Sequence, residues 1–246
     1  MPAEVPGAAA PVTPPAPAAP RQPITLEGSA AELQILAAEH SSLLTARSLV
    51  YNEAFTRASM FLDLLGMSFV GLALLATAVG FGQDFLIVAV IVLAFDFLVG
   101  VLTYVRVMTA NGEDFFAMHA MNRIRHGYLL IAPNVRPFFT SGSHDDVDGV
   151  MRSYGYAVQG GNDLIQGLST SGGMVGLIVT FVGGLLVAAV ALLVGLSAMG
   201  ALIAGVVGAV VVFAVAARWA LGLVAHSQET VETRFPTPPA GPKPRS

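Results

Sequence analysis

The chain has 246 residues, of which 54% are hydrophobic and only 11% are charged. A soluble domain usually carries about 25% charged residues, and the mean hydropathy here is +0.71. This composition argues against soluble globular, disordered and nucleic-acid-binding proteins, and leaves an integral membrane protein. The lack of cysteine also excludes disulfide frameworks, thiolate metal sites and cysteine nucleophiles.

Proline and alanine dominate both ends of the chain. Eight of the 15 prolines precede Ile24 and five follow Phe235. Such segments bury too little apolar surface to offset the conformational entropy lost on ordering. We therefore expect a disordered tail over residues 1–28. We also expect disorder over residues 236–246, at the end of a cytoplasmic tail that spans residues 223–246.

Four apolar runs are long enough to cross the hydrocarbon core of a bilayer, which takes about 20 helical residues. Each should be an α-helix, because lipid offers the backbone no hydrogen-bond partners. Short connections join the runs in pairs and predict two antiparallel hairpins. The fold class is therefore all-α, a four-span helical membrane protein with a helical cytoplasmic layer. The predicted spans are residues 59–80 and 85–106 in the first hairpin (59–106), and residues 174–196 and 200–222 in the second (174–222).

The basic residues predict the orientation of these spans. All 12 lie in residues 1–57, 106–173 or 218–246, and the two short connections hold none. By the positive-inside rule these three parts face the cytoplasm, so both termini are cytoplasmic. The excess of arginine over lysine, with abundant alanine, glycine and valine, is a codon-usage sign of a bacterium. The predicted location is the bacterial plasma (inner) membrane.

A cytoplasmic helix is predicted over residues 29–58, continuous with the first span. Ser29 and Glu32 have the spacing of a capping box, and neither proline nor glycine interrupts the segment. Two polar residues, His40 and Arg47, fall inside its apolar stripe. They are either a polar pair that sets the register of a helix–helix seam or a pH- or ligand-sensitive contact.

Residues 107–173 are predicted to complete the helical cytoplasmic layer. A helix over 113–132 is stopped by Pro133, and Asn111-Gly112 leaves open whether it is continuous with the second span. The basic side chains on and just after this helix are either a solvated face or a contact for anionic lipid head groups or a phosphate-bearing ligand. The basic residues concerned are Arg123, Arg125, His126 and Arg136.

An acidic run follows. If Gly149 were the turn glycine of a calcium loop, the bidentate glutamate would fall at position 155, which is Gly155. A turn followed by acidic N-capping of a helix near 147–158 is the simpler interpretation. We assign no metal, no cofactor and no catalytic residue. Metal binding would need other residues to fold against this run, whose candidate ligands are His144, Asp145, Asp146 and Asp148.

Two carboxylates, Asp63 and Asp96, lie within the first hairpin. Each would cost about 2.5–3.5 kcal/mol at the centre of a membrane helix, so both are candidates for function. Asp63 could pair with Arg57 or reach water. Asp96 could be protonated, pair across an oligomer or line a wet path, and a fold about residue 82 places it opposite Ser68.

Small residues mark the second hairpin. Ala201 and Gly205, like Ala204 and Gly208, are four positions apart, a spacing that lets membrane helices approach closely. This hairpin is predicted to pack within the subunit or between subunits, so a homo-oligomer is expected.

Several short segments resemble a group of bacterial multi-pass membrane proteins that have no assigned activity. The resemblance covers about residues 35–155, and it implies no catalytic or binding residue. The segments are Glu39-His40, Ala46-Arg47-Ser48, Asn52-Glu53-Ala54-Phe55 with Arg57, Asn122-Arg123-Ile124-Arg125-His126 and His144-Asp145-Asp146.

Without a catalytic constellation, the sequence predicts a protein that is not an enzyme. The first hypothesis is a membrane-embedded sensor, scaffold or effector whose cytoplasmic helices bind a protein partner. The alternative is a small oligomeric transporter or channel in which Asp96, with Asp63, handles protons or cations. The bilayer itself is the other expected partner, and nucleic acid is not expected.

Overall fold

A computed structural model describes residues 26–155, 170–229 and 232–238. These residues form helices and connecting segments, without a strand. The predicted tails at 1–25 and 239–246, and the end of the helix predicted near 147–158, lie outside them. The elements are α1 (Ala30–Val79), α2 (Gln83–Ile131), a 3-10 helix (Pro133–Phe138), α3 (Val147–Ser153), α4 (Ser171–Leu193) and α5 (Ala198–Glu229).

Helix α1 runs unbroken for 50 residues, and its predicted start is confirmed. The Ser29 hydroxyl accepts a hydrogen bond from the Glu32 amide at 3.2 Å, and the Glu32 carboxylate accepts one from the Ser29 amide at 3.0 Å. The helix ends at Gly80, whose φ of +73° favours a residue without a Cβ. At 1.5 Å per residue α1 is about 75 Å long, far longer than a bilayer core.

Helix α2 settles the question left open at Asn111-Gly112. It continues through these residues for 49 residues in all and ends at Ile131, two residues before Pro133. The second apolar run and the helix predicted over 113–132 are therefore one rod. Polar residues at the far end of α2 are held rigidly to its apolar part.

Helices α1 and α2 lie side by side, and their contacts pair rising positions on α1 with falling positions on α2. Arg47 contacts Asp114, Glu53 contacts Arg106, and Ser68 contacts Asp96. The predicted opposition of positions 68 and 96 is confirmed by the hydrogen bond between their side chains, at 2.9 Å.

The apolar core joins α1, α2 and α4. Phe61 and Val179 are buried against Gly100 of α2, where a Cβ would meet the Phe61 ring at 2.8 Å. Helices α4 and α5 approach through Gly184 and Gly205, because a Cβ at either position would lie 3.0 Å from the other's carbonyl oxygen. The small residues predicted to pack therefore do so within this chain.

Four of these helices, α1, α2, α4 and α5, are long and apolar enough to cross a membrane. The parts of α1 and α2 that extend beyond their apolar stretches carry most of the charged groups discussed below. Those extensions, with α3 and the segment 232–238, form a second region of the structure, which we call the polar layer.

Candidate functional site

A buried ion pair links α1 to α2 inside the polar layer. The Arg47 guanidinium donates to both oxygens of Asp114, whose side chain is 2% exposed. The Tyr154 hydroxyl, just beyond α3, donates to the same carboxylate. Burial alone would lower the pKa of Arg47, but the Asp114 carboxylate outweighs it and the pKa is raised. The guanidinium therefore stays charged, and the pair fixes the register of the two helices.

The two polar residues predicted in the α1 stripe both face α2. Arg47 does so through Asp114, and His40 stacks on the Tyr128 ring with centroids 6.1 Å apart. The pKa of His40 is lowered, first by burial and then by the positive charge of Arg125. At neutral pH the histidine is therefore neutral, and its contact with Tyr128 is one of ring packing.

Asn122 occupies the centre of the polar layer and is fully buried. Its amide nitrogen donates to the His144 carbonyl at 2.9 Å. Its amide oxygen accepts from Arg125 at 2.8 Å and from the Ser153 hydroxyl at 2.9 Å. One side chain of α2 thus holds the acidic turn, α3 and a guanidinium in a single arrangement.

Asp145 is the second fully buried polar residue of this layer. It accepts from Arg123 Nε at 2.9 Å and from the backbone amides of Arg234 and Phe235. Burial acts to raise the pKa of Asp145, but the Phe235, Arg234 and Arg123 donors outweigh it and the pKa is lowered. The carboxylate is a fixed negative charge that holds the C-terminal segment.

Asp146 binds both the start of α3 and the C-terminal segment. It accepts the Gly149 amide at 2.9 Å as the N-cap of α3, which confirms the predicted acidic capping. It also accepts the Thr237 amide and the Thr237 hydroxyl, each at 2.7 Å. Residues 236–238 belong to the tail that was expected to be disordered from its low apolar burial, and here Thr237 is held by hydrogen bonds to a carboxylate.

Three of the four residues predicted to contact lipid or phosphate instead contact other residues of this chain. Arg123 donates to Asp145, Arg125 donates to Asn122, and His126 stacks on the Phe235 ring with centroids 4.1 Å apart. Arg136 lies exposed on the 3-10 helix. The four side chains do not converge on one anion site.

The metal candidates are likewise dispersed. The oxygens of Asp145 and Asp146 face N–H and O–H donors, the carbonyl of His144 accepts from Asn122, and Asp148 is exposed. Within the described ranges no three His, Cys, Asp or Glu side chains lie close enough together to hold a metal ion.

The two carboxylates of the apolar region have different surroundings. Asp63 is exposed, and Arg57, its suggested partner, pairs with Glu53 at 2.9 Å. Asp96 is fully buried, and its Oδ1 accepts from the Ser68 hydroxyl. Its other oxygen is buried without a hydrogen-bond partner among the described residues. The apolar region therefore satisfies only one of the two oxygens of this carboxylate.

Several residues of the polar layer were not identified from the sequence. Asp114 and Asn122 lie in a helix where neighbouring polar residues read as a solvated face, and no local pattern distinguishes the buried ones. Phe235 and Thr237 had a weak signal, since each precedes a proline, which restricts both to extended backbone.

Comparison with known proteins finds no matching family model, no matching curated protein and no matching solved structure. The interpretation of the site therefore rests on its geometry.

Proposed function

We propose that this protein is a multi-pass protein of the bacterial plasma membrane, in which α1, α2, α4 and α5 cross the bilayer as two hairpins. The four long apolar helices support this placement. The distribution of the 12 basic residues supports a cytoplasmic polar layer and cytoplasmic termini.

The placement is tested by single cysteines, since the chain has none of its own. Gln83 and Ser141 are both exposed, one at the start of α2 and one after the 3-10 helix. In intact cells an impermeant thiol reagent should label Gln83→Cys and not Ser141→Cys, and permeabilised cells should label both. External labelling of Ser141→Cys would contradict the orientation.

Within that frame we infer a scaffold, sensor or effector whose cytoplasmic helices bind a protein partner. The observation that carries this inference is the outer side of α1. Ile35, Leu49 and Phe55 are 68%, 64% and 51% exposed on the part of α1 that precedes its apolar run. In water, the free energy falls when a partner covers such apolar side chains.

The rest of the polar layer favours binding over catalysis. Several of its charged groups pair with one another, as Arg47 does with Asp114, and hold helices in place. A rigid platform attached to the membrane by unbroken helices suits a protein that presents a surface. A second copy of this chain is one partner that the surface would fit, as expected for a homo-oligomer.

The experiment is purification in mild detergent with identification of co-purifying proteins, for the wild type, Leu49→Glu and Gln34→Glu. Both positions are exposed on α1, and only the first is apolar. A partner should be retained by Gln34→Glu and lost with Leu49→Glu at unchanged thermal stability. Native mass measurement identifies the case where the partner is a second copy. Equal recovery from both variants would refute a docking role for this face.

A second candidate function, a proton or cation transporter or channel, is favoured by Asp96. A fully buried carboxylate with one oxygen unpartnered among the described residues has the ligand chemistry of an ion or proton site. Asp63 lies on the exposed side of α1 and adds no second ligand to it.

Flux into proteoliposomes separates the two functions. If Asp96 carries protons or cations, wild-type vesicles should be leakier than empty ones. Asp96→Asn, which keeps the shape and loses the charge, should abolish the flux at unchanged stability. Wild-type vesicles as tight as empty ones, with and without a membrane potential, would leave the scaffold function as the sole proposal.

A further inference from the structure

The segment 232–238 packs against α2 and the turn before α3, bends at Arg234 and Phe235, and has two different sides. Thr233, Phe235 and Thr237 are partly buried, whereas the residues that alternate with them are exposed. Every second residue of the segment is therefore turned inward.

Two prolines restrict the backbone of this segment. Pro236 and Pro238 fix their own φ angles, and each disfavours helical backbone in the residue before it. Both prolines lie on the exposed side, so the amide that each lacks is not needed for binding. A segment restricted in this way loses less conformational entropy on docking, as in the recognition of proline-rich peptides.

The surface beneath the segment binds its backbone in several places. The carboxylates of Asp145 and Asp146 accept the amides of residues 234, 235 and 237, at 2.6–3.1 Å. The Asp145 amide donates to the Phe235 carbonyl at 3.2 Å, and Arg123 donates to the Glu232 carbonyl. Donors and acceptors on this surface are therefore matched to those of the segment's backbone.

Two side chains of the segment add selectivity. The Phe235 ring stacks on His126 at 4.1 Å with the planes 17° apart. The Thr237 hydroxyl donates to Asp146 at 2.7 Å. We call the surface formed by Arg123, His126, Asp145 and Asp146 the peptide cradle.

We propose that the peptide cradle is a binding site for a peptide in which an aromatic residue is followed by proline and threonine, and that residues 232–238 are its intramolecular competitor. A partner that carries such a segment docks by displacing residues 232–238. This site lies on α2 and the turn before α3, so it does not depend on the outer face of α1.

The two carboxylates also set what the cradle rejects. An acidic side chain, or a phosphate on the threonine, would bring negative charge against Asp146, and like charges repel. Phosphorylation of the threonine should therefore release the peptide.

The test uses the full chain in detergent micelles, with Phe235→Ala and Thr237→Ala introduced together to weaken the intramolecular competitor. The probe is a fluorescently labelled peptide with the sequence of residues 232–238, followed by anisotropy. We expect saturable binding to this double variant, and at least fivefold weaker binding to the wild-type chain, whose own segment competes. A peptide carrying the same two alanines, and one carrying phosphothreonine, should each bind at least tenfold more weakly.

A third substitution distinguishes a loss of peptide binding from a loss of folding. Asp146→Ser keeps a favoured N-cap for α3 but lacks the second oxygen that accepts the Thr237 amide. Added to the double variant, it should weaken peptide binding at least fivefold at an unchanged unfolding temperature. If the double variant unfolds at a lower temperature than the wild type, the same comparisons are made in the Thr237→Ala chain. The proposal is overturned if folded receiver chains show no saturable binding, or if the native and alanine peptides bind equally.

Discussion

Arg47 of α1 and Asp114 of α2, 67 positions apart, form a two-point ion pair in which the carboxylate is buried and the guanidinium is partly exposed. Arg47→Met removes the cation and leaves the buried carboxylate uncompensated. Breaking a fully buried pair costs about 3–5 kcal/mol. Since a quarter of the Arg47 side chain is exposed, we expect the free energy of unfolding to fall by only about 2 kcal/mol. The unfolding transition in detergent measures this loss.

The matched control is Arg57→Met. Arg57 also pairs with a carboxylate, that of Glu53, but both side chains are about half exposed, and an exposed pair contributes about 0–1 kcal/mol. The double variant Arg47→Met, Asp114→Leu should recover most of the stability, because no charge then stays buried. Equal losses for Arg47→Met and Arg57→Met would show that the pair does not hold the two helices together.

Asn122 should be among the most sensitive positions of the polar layer. Asn122→Ala removes the donor to the His144 carbonyl and the acceptor for Arg125 and Ser153. Each buried group left without a partner costs about 1–3 kcal/mol, so we expect the free energy of unfolding to fall by about 3 kcal/mol. Asn134, which is exposed on the 3-10 helix, gives the control Asn134→Ala. A loss at Asn122 no larger than that of the control would contradict the central role of Asn122.

The histidines of the polar layer predict a loss of stability in mild acid. The pKa of His126 is lowered mainly by burial, against an opposing effect of the Ser143 carbonyl, and burial likewise lowers the pKa values of His40 and His119. The folded state therefore binds fewer protons than the unfolded state below the unfolded pKa of about 6.5. Stability should be full above that value and fall as the pH drops from it towards the lowered folded-state pKa values.

The check is the unfolding temperature at pH 7.5 and pH 5.5, for the wild type and His126→Phe. Phenylalanine keeps an aromatic ring against Phe235 and cannot be protonated, so the variant should lose less stability over this range. Asp145 and Asp146, whose pKa values are lowered, stay ionised throughout it, and their contribution is lost only below about pH 3.8. A wild type equally stable at both pH values would refute the linkage.

The parts of the fold that depend on local signals were predictable from the sequence. The capping box at Ser29 fixed the start of α1, and acidic capping before α3 followed from Asp146. The polar layer depends on contacts between distant positions. Asp146 and Thr237 are 91 positions apart, and neither local sequence contains a signal for the other. Asn122 looks like any polar residue of an exposed helix until α3 covers it.

The approach of α4 to α5 can be tested with a pair of glycines. At Gly205 a Cβ would lie 2.9 Å from the Ala188 Cβ and 3.0 Å from the Gly184 carbonyl oxygen, so the two backbones must move apart. At Gly66, inside α1, a Cβ would meet nothing within 4 Å. Gly205→Ala should lower the free energy of unfolding by about 1–3 kcal/mol, the usual result of overpacking. Gly66→Ala should leave it unchanged or raise it by up to about 1 kcal/mol, because alanine has the higher helix propensity. Thermal unfolding of both variants in one detergent measures the difference, and native mass recorded alongside shows whether the oligomeric state changes. If Gly205→Ala is as stable as Gly66→Ala but its oligomers dissociate, this small-residue contact forms between chains and not within one chain.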